Sequence, residues 1–147
     1  GAGYALNPFD GYVDHASRWV AAAAASGEYI EVDLLASHRV GAAHVYSGFI
    51  DPADPTRTTT QPLPNFTLQY WDGAAWLPIP GAEITANTQV ARAIEFTTPV
   101  TTTRVRLVTT SAFNGRVQEL LLFPPRTGGT PLGREVVQAP PPARGWD

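Results

Sequence analysis

Short runs of β-branched and aromatic residues, separated by Gly, Pro, Asn and Asp, fill most of this 147-residue chain. No window of helical length repeats apolar residues at intervals of three and four, whereas alternation over a few residues between turn signals is typical of strands. The predicted strands are residues 29–34, 40–46, 65–71, 76–79, 90–96, 103–108 and 117–123. Such a series of short strands predicts an all-β sandwich or jelly roll.

The connections between these strands carry their own signals. Asp72-Gly73 lies between two strands and predicts a tight hairpin, because its turn needs residues that tolerate positive φ. The 49–64 segment, with four prolines and three successive threonines, predicts an exposed connection without a strand. Five alanines at 21–25 are too few to nucleate a helix unaided and predict a short turn or loop.

Composition limits the chain to one domain with a tail. Residues 1–123 are the predicted β-sandwich module, and the Pro- and Gly-rich residues 124–147 are the predicted linker. A net charge of −3 gives no basic field for nucleic acid, and the longest apolar stretch, 19–25, is too short for membrane insertion. With no cysteine, neither a disulfide framework nor a thiolate metal site can form, so the fold must depend on packing, to which a hard cation could add.

A series of short motifs occurs between residues 7 and 123. In order, they are DG at 10–11, SRW at 17–19, YIEVDL at 29–34, VYSG at 45–48, NFTLQYWDG at 65–73, Trp76, RVRL at 104–107 and EL at 119–120. Their order and spacing resemble the discoidin, or coagulation factor V/VIII type C, domains. They are most similar to the bacterial versions grouped with family 32 carbohydrate-binding modules.

The resemblance implies a jelly-roll β-sandwich of about eight antiparallel strands, with loops at one end that hold a ligand. It implies a monomeric, non-catalytic module that targets a larger polysaccharide-degrading protein to poly- or oligosaccharide. The lack of the terminal cysteines of animal members favours a bacterial type, secreted to the exterior or the periplasm. The other domains of the parent protein are expected partners.

The resemblance also implies a structural calcium ion, which requires six to eight oxygen ligands. By resemblance the ligands are Asp10, Ser17 and Glu119, and Asp14 is a further candidate that a longer loop makes harder to place. In the alternative, Asp10 and Asp14 only cap turns through their own backbone. Glu119 favours the ion, because a carboxylate at the head of an apolar strand is costly to bury without a partner.

A sugar site combines an aromatic ring with polar side chains that bond paired hydroxyls. The segment Phe113-Asn114-Gly115-Arg116 offers both on a predicted loop, and related modules place an aromatic of this last loop against the ligand. Further candidates are His15, Tyr46, Phe49, Asn87 and Arg92. Phe113 is about as often buried as exposed in such a loop, Asn87 is also a turn former, and Arg116 could pair with a carboxylate instead.

Other conspicuous residues are given structural roles. Trp19, Trp71 and Trp76 fall in or beside strands and are predicted to fill the core. The scattered histidines form no zinc triad, and His44 is predicted to be packed or half-exposed. Glu31 and Asp33 share one strand face, where they are expected to be solvated or paired with arginine, because glycosidases need two carboxyls facing each other across the bond.

Two alternatives to glycan binding remain open at the level of sequence. The chain could be a structural or protein-interaction domain that packs against a catalytic neighbour. Attachment to a lipid surface would require projecting apolar side chains beside basic ones, and Asp51 and Asp54 next to Phe49 oppose it. No catalytic motif for a serine hydrolase, a zinc peptidase or a phosphate-binding loop is present.

Overall fold

A computed structural model of the chain describes residues 26–56, 58–112 and 116–125, and the backbone of residues 19–20. Its strands are β1 (Trp19–Val20), β2 (Tyr29–Ser47), β3 (Phe49–Ile50), β4 (Thr59–Thr60), β5 (Phe66–Trp71), β6 (Trp76–Ile84), β7 (Ala91–Thr109) and β8 (Arg116–Phe123). All pairings are antiparallel, and the described residues contain no helix, let alone one able to cross a membrane. The all-β prediction is confirmed.

Two strands of 19 residues each, β2 and β7, run through both layers of the sandwich. The first half of β2 pairs with the last part of β7, which in turn pairs with β5, and β5 pairs with β6. The second half of β2 pairs with the first part of β7 on one side and with β8 on the other. Two register shifts bend the pair, after Asp33 and after Val40. At the first, Leu35 takes a φ of 67° and donates its backbone N–H to Asp33 Oδ1 over 2.8 Å. The four strands predicted at 29–34, 40–46, 90–96 and 103–108 are therefore two continuous ones.

The core lies between the layers and follows the alternation seen in the sequence. In β2, Ile30, Val32 and Leu34 are buried while Glu31 and Asp33 face outward. One apolar cluster joins side chains from both halves of the fold, including Leu68, Ile79, Leu107, Leu120 and Leu122. Burial of this continuous cluster is what holds the two layers together.

The predicted core role of Trp71 and Trp76 is wrong. On β5 the core positions alternate as Phe66, Leu68 and Tyr70, so Trp71 points to the opposite, outer face, where it is only half-buried. Trp76 lies directly across from Trp71 in the β5–β6 pair and shares that face. The side chain of Trp19 and the alanines at 21–25 lie outside the described residues.

One connection between strands has the structure that the sequence predicts, and another differs from its prediction. Asp72-Gly73 forms the predicted hairpin, in which Gly73 has a φ of 102° and Asp72 Oδ1 accepts the backbone N–H groups of Ala74 and Ala75. The 49–64 connection was predicted to contain no strand, but β3 and β4 pair there as a separate two-stranded sheet. Local turn hydrogen bonds to Asp51 and Asp54 close the loop that joins them.

Candidate functional site

Several chain segments meet at one end of the sandwich, which we call the loop pole: residues 47–65, 85–90 and 110–112 and the start of β8. Backbone hydrogen bonds tie them together. Ser47 N donates to the carbonyl of Val90 over 2.9 Å, and Gly48 N donates to that of Arg116 over 3.0 Å. Asn87 N donates to the carbonyl of Pro64 over 2.9 Å. The loops between distant strands thus form one continuous surface.

Two buried polar side chains support the loop pole from below. Ser47 Oγ accepts the backbone N–H of Leu63 over 2.9 Å, and Gln118 Nε2 donates to the carbonyl of Gly48 over 2.7 Å. Hydrogen bonds made in such a buried place are costly to break, because each leaves a polar group without water. The base of the long 48–65 connection is therefore fixed to β2 and β8.

Arg116 and Phe49 form the aromatic and cationic pair of this surface. The guanidinium carbon of Arg116 lies 5.1 Å from the centre of the Phe49 ring, within the range of a cation–π interaction. Both side chains are half-buried. The contact orients a planar donor group at the loop pole beside an aromatic ring, which are the two elements expected of a sugar site.

Asn65 is a loop-pole residue that the sequence did not single out as a site residue, since it was predicted only to begin the strand at 65–71. Its Nδ2 donates to Ser111 Oγ over 2.9 Å, and its Oδ1 accepts the backbone N–H of Ala86 over 3.0 Å. One side chain therefore links all three loops. The structure begins β5 one residue later, at Phe66, which leaves Asn65 in the loops.

Asn87 is buried in the 85–90 loop, where its side chain bonds the backbone of two loops. Its side chain is 5% exposed, its Nδ2 donates to the carbonyls of Leu63 and Gln89 over 2.9 Å each, and its Oδ1 accepts the N–H of Gln89. Both amide hydrogens are thereby used within the protein. Contact between Asn87 and a ligand stays a prediction, and its visible role is to shape the 85–90 loop.

Tyr46 and Arg92 lie near the ends of their strands beside the loop pole. Tyr46 is half-buried, with its ring centre 4.5 Å from that of His44, and burial lowers the pKa of His44. His44 is half-buried, as predicted. Arg92 is half-buried near the start of β7 and lies across from Val45. These positions bring Tyr46, Arg92 and Arg116 to the same end of the fold.

Glu119 is the described member of the predicted calcium site. It is 3% exposed and lies across from Tyr46 in the β2–β8 pair, so a carboxylate is indeed buried near the head of β8. Within the part of the chain that the structure describes, no three His, Cys, Asp or Glu residues group as a metal site. The other predicted ligands, Asp10, Asp14 and Ser17, and the predicted sugar contacts His15, Phe113 and Asn114, lie outside the described residues.

Comparison with solved structures places this architecture among known folds. The family 32 carbohydrate-binding module of Streptococcus pneumoniae EndoD matches with a TM-score of 0.66 at 14% identity, over 84% of this chain and 87% of that one. The chain has the fold of a family 32 carbohydrate-binding module. The family 32 module of Clostridium perfringens NanJ, solved in complex with galactose, matches with a TM-score of 0.61 at 12% identity, over 83% and 85% of the two chains.

A third match is chitosan-binding module 1 from a chitosanase/glucanase of Paenibacillus sp. IK-5, with a TM-score of 0.60 at 22% identity over 84% of this chain and 87% of that one. No protein-family model and no curated protein matches the sequence. The family 32 fold thus spans most of the chain, while the amino acids that build it differ from those of the matched modules at most positions. The predicted jelly-roll β-sandwich is confirmed.

Proposed function

We propose that this chain is a non-catalytic carbohydrate-binding module that holds a larger, secreted bacterial protein on a glycan. The observation that carries the proposal is the Arg116–Phe49 pair at the loop pole of a family 32 fold. Matched modules with this fold were solved as galactose- and chitosan-binding modules, which supports a sugar as the ligand. The parent protein's catalytic domain supplies any chemistry.

The loop pole can recognise a sugar by two complementary contacts. An aromatic ring packs on the apolar C–H face of a pyranose, while the guanidinium donates hydrogen bonds to neighbouring hydroxyls. Because Asn65, Ser47 and Gln118 already fix the loops, little ordering remains to be done on binding. A shallow site of this kind binds single sugars weakly, and tandem copies in one protein strengthen attachment by avidity.

Removal of the Arg116 guanidinium is the first test of this site. Arg116→Ala should weaken binding by about tenfold or more on every glycan that the wild-type chain binds in a glycan array, because a charge-assisted hydrogen bond is lost. The matched control is Arg39→Ala, which removes the same group from an exposed position of β2 beside its bend. Phe113→Ala tests the predicted aromatic contact in the same array.

The outcomes separate the proposal from its rivals. Loss of binding in Arg116→Ala with binding kept in Arg39→Ala supports a sugar site at the loop pole. A wild-type chain that binds no glycan in the array, or an Arg116→Ala variant that binds as well as Arg39→Ala, contradicts it. Both variants should first show the melting temperature of the wild type within a few degrees.

We further propose that a calcium ion stabilises the loops without touching the sugar. The support is the burial of Glu119, since a hard cation satisfies a buried carboxylate and prefers oxygen ligands. Glu119 would hold the ion together with Asp10 and Ser17, with Asp14 as a further ligand. In that arrangement the ion would join the two ends of the sandwich sequence.

Calcium should raise the thermal stability of the chain. At a free concentration 100 times the dissociation constant, binding to the folded state alone contributes about 2.7 kcal/mol. A chelator should therefore lower the melting temperature in scanning calorimetry, and Glu119→Gln should reduce this shift because it removes one ligand charge. Equal melting temperatures with calcium and with chelator would contradict the proposal. Magnesium at the same concentration serves as the control cation.

A further inference from the structure

The residues just before β5 are hydrogen-bonded on both sides to loops of the loop pole. The carbonyl of Pro64 accepts the backbone N–H of Asn87 over 2.9 Å, and the carbonyl of Asn65 accepts that of Thr110 over 3.1 Å. The first of these bonds reaches the loop that joins β6 to β7, and the second reaches the residues that follow β7. Pro64 and Asn65 therefore lie between two loops that are distant from each other in the sequence.

The side chain of Asn65 repeats both of these backbone links. Its Oδ1 accepts the backbone N–H of Ala86 over 3.0 Å, and its Nδ2 donates to Ser111 Oγ over 2.9 Å. Each neighbouring loop is therefore held by a pair of adjacent hydrogen bonds, one to the backbone before β5 and one to the Asn65 amide.

The backbone of Ala86 is strained. Its φ is 52°, in the left-handed region that residues other than glycine seldom adopt. The side chain of Ala86 is exposed, so packing does not impose this conformation. A strained residue of this kind persists only where its surroundings hold it, and the bond from its N–H to Asn65 does so.

The loop that contains Ala86 ends beside the proposed sugar site. Its last carbonyl, that of Val90, accepts the N–H of Ser47 over 2.9 Å. The N–H of the next residue, Gly48, donates to the carbonyl of Arg116 over 3.0 Å. A displacement of this loop would therefore reach Arg116 through only two backbone hydrogen bonds.

The second loop that Asn65 holds leads to the same site. Ser111 lies two positions before Phe113, the aromatic residue predicted to contact the sugar, and five positions before Arg116. The bond from Asn65 Nδ2 to Ser111 Oγ thus fixes the start of the segment that carries these predicted contacts. Both loops that Asn65 holds lead to residues of the sugar site.

We propose that Asn65 is a positioning residue of the sugar site, which fixes the 85–90 and 110–112 loops in the conformation that binds a glycan. This role rests on the proposed function of the loop pole. Ordering a loop on binding costs free energy, so loops that are ordered beforehand bind more tightly. Asn65 acts through Ala86 and Ser111, because these two residues engage both ends of its amide.

Removal of the Asn65 amide should weaken glycan binding. In a glycan array, Asn65→Ala should raise the protein concentration for half-maximal binding about tenfold on every glycan that the wild type binds, because two hydrogen bonds that order the loops are lost. Ser111→Ala breaks only one of them and should raise it about threefold. The matched control is Gln69→Ala, which removes an amide that bonds Arg106 over 2.7 Å further along β5.

A second substitution separates positioning from direct contact with the sugar. Glycine adopts the positive φ of residue 86 without strain, so Ala86→Gly should hold the loop without help from Asn65. In the Asn65→Ala background, Ala86→Gly should recover about threefold or more of the lost affinity. In the wild-type background it should change affinity by less than about twofold. Direct contact between Asn65 and the sugar would give no recovery.

Hydrogen exchange measured by NMR follows the same link in the absence of a glycan. The N–H of Ala86 should exchange about tenfold faster in Asn65→Ala than in the wild type, since its acceptor is gone. Gln69→Ala should leave this exchange rate unchanged. An equal rate in Asn65→Ala and the wild type would show that Asn65 does not hold the 85–90 loop, and would overturn the positioning role.

The positioning role and the proposed function fail in different ways. A wild-type chain that binds no glycan in the array contradicts both, whatever the exchange rates are. If the wild type binds and Asn65→Ala binds as well as Gln69→Ala, only the positioning role is overturned. The same holds if Ala86→Gly restores no affinity to Asn65→Ala. Weaker binding in Asn65→Ala, together with recovery in the double variant, supports the role.

Discussion

Leu107→Ala should lower the free energy of unfolding by about 2–5 kcal/mol, the usual cost of truncating a fully buried leucine. Leu107 is 0% exposed in the centre of the four-strand layer. It lies across from Ile30 on one side and Leu68 on the other, and both of these are buried as well. Neighbours held by two strands cannot collapse into the space that the truncation leaves, so the variant keeps a cavity.

The same substitution on the surface gives the matched control. Leu35→Ala removes an identical group from a side chain that is 77% exposed, so its effect should stay within about 0.5 kcal/mol. Urea denaturation of both variants measures the difference in their free energies of unfolding. In thermal unfolding, Leu107→Ala should lower the melting temperature on the order of 10 °C. If the two variants lose similar amounts of free energy of unfolding, Leu107 does not belong to the core that joins the layers.

Alternation in the sequence was sufficient to predict the segments of the longer strands and the inward residues of β2, because period two leaves no choice of face once one face is apolar. It could not predict that residues 29–34 and 40–46 are one strand. The bend between them depends on a positive φ at Leu35, which propensity does not favour for leucine. A short apolar run with a break therefore looks the same whether the chain turns back or merely bends.

The tryptophans show the limit of reasoning by residue type. Size and apolarity favoured the core for Trp71, but its parity on β5 decides its face, and Tyr70 takes the inward position instead. The guanidinium groups of Arg104 and Arg106 on β7 cover the rings of Trp71 and Trp76, which reduces the contact of these rings with water on the outer face. Those partners are more than 25 residues away in sequence, so only the register of β5 with β7 reveals them.

The candidate site was predicted in part. Arg116 was a candidate from its motif, yet its contact with Phe49 joins positions 67 residues apart, which no local pattern shows. Asn87 was chosen as a ligand contact because it is polar and lies in a loop, but its amide is engaged by the backbone of Leu63 and Gln89. Loop residues that bind ligand and those that hold the loop have the same composition, and contact between Asn87 and a ligand stays a prediction.

Gly48→Ala should be among the most disruptive single changes at the loop pole. Gly48 has a φ of 115°, and a methyl group there would collide with the carbonyl oxygen of Thr60 on β4. Backbone strain and overpacking together should cost about 3–5 kcal/mol. The backbone of Gly48 also bonds Arg116 and the side chain of Gln118, so the displacement should disturb the Arg116–Phe49 pair and weaken glycan binding.

Gly73→Ala separates the two causes. Gly73 has a similar φ of 102° in the β5–β6 hairpin, but an added methyl group would meet no atom within 4 Å. It should therefore show only the backbone strain of about 1–2 kcal/mol and leave glycan binding unchanged. Urea denaturation of both variants gives their losses in the free energy of unfolding. The additional loss in Gly48→Ala is then the steric cost of the contact with Thr60 on β4. If the two losses are equal, close contact between Gly48 and Thr60 does not shape the loop pole, and glycan affinity should be equal in both variants as well.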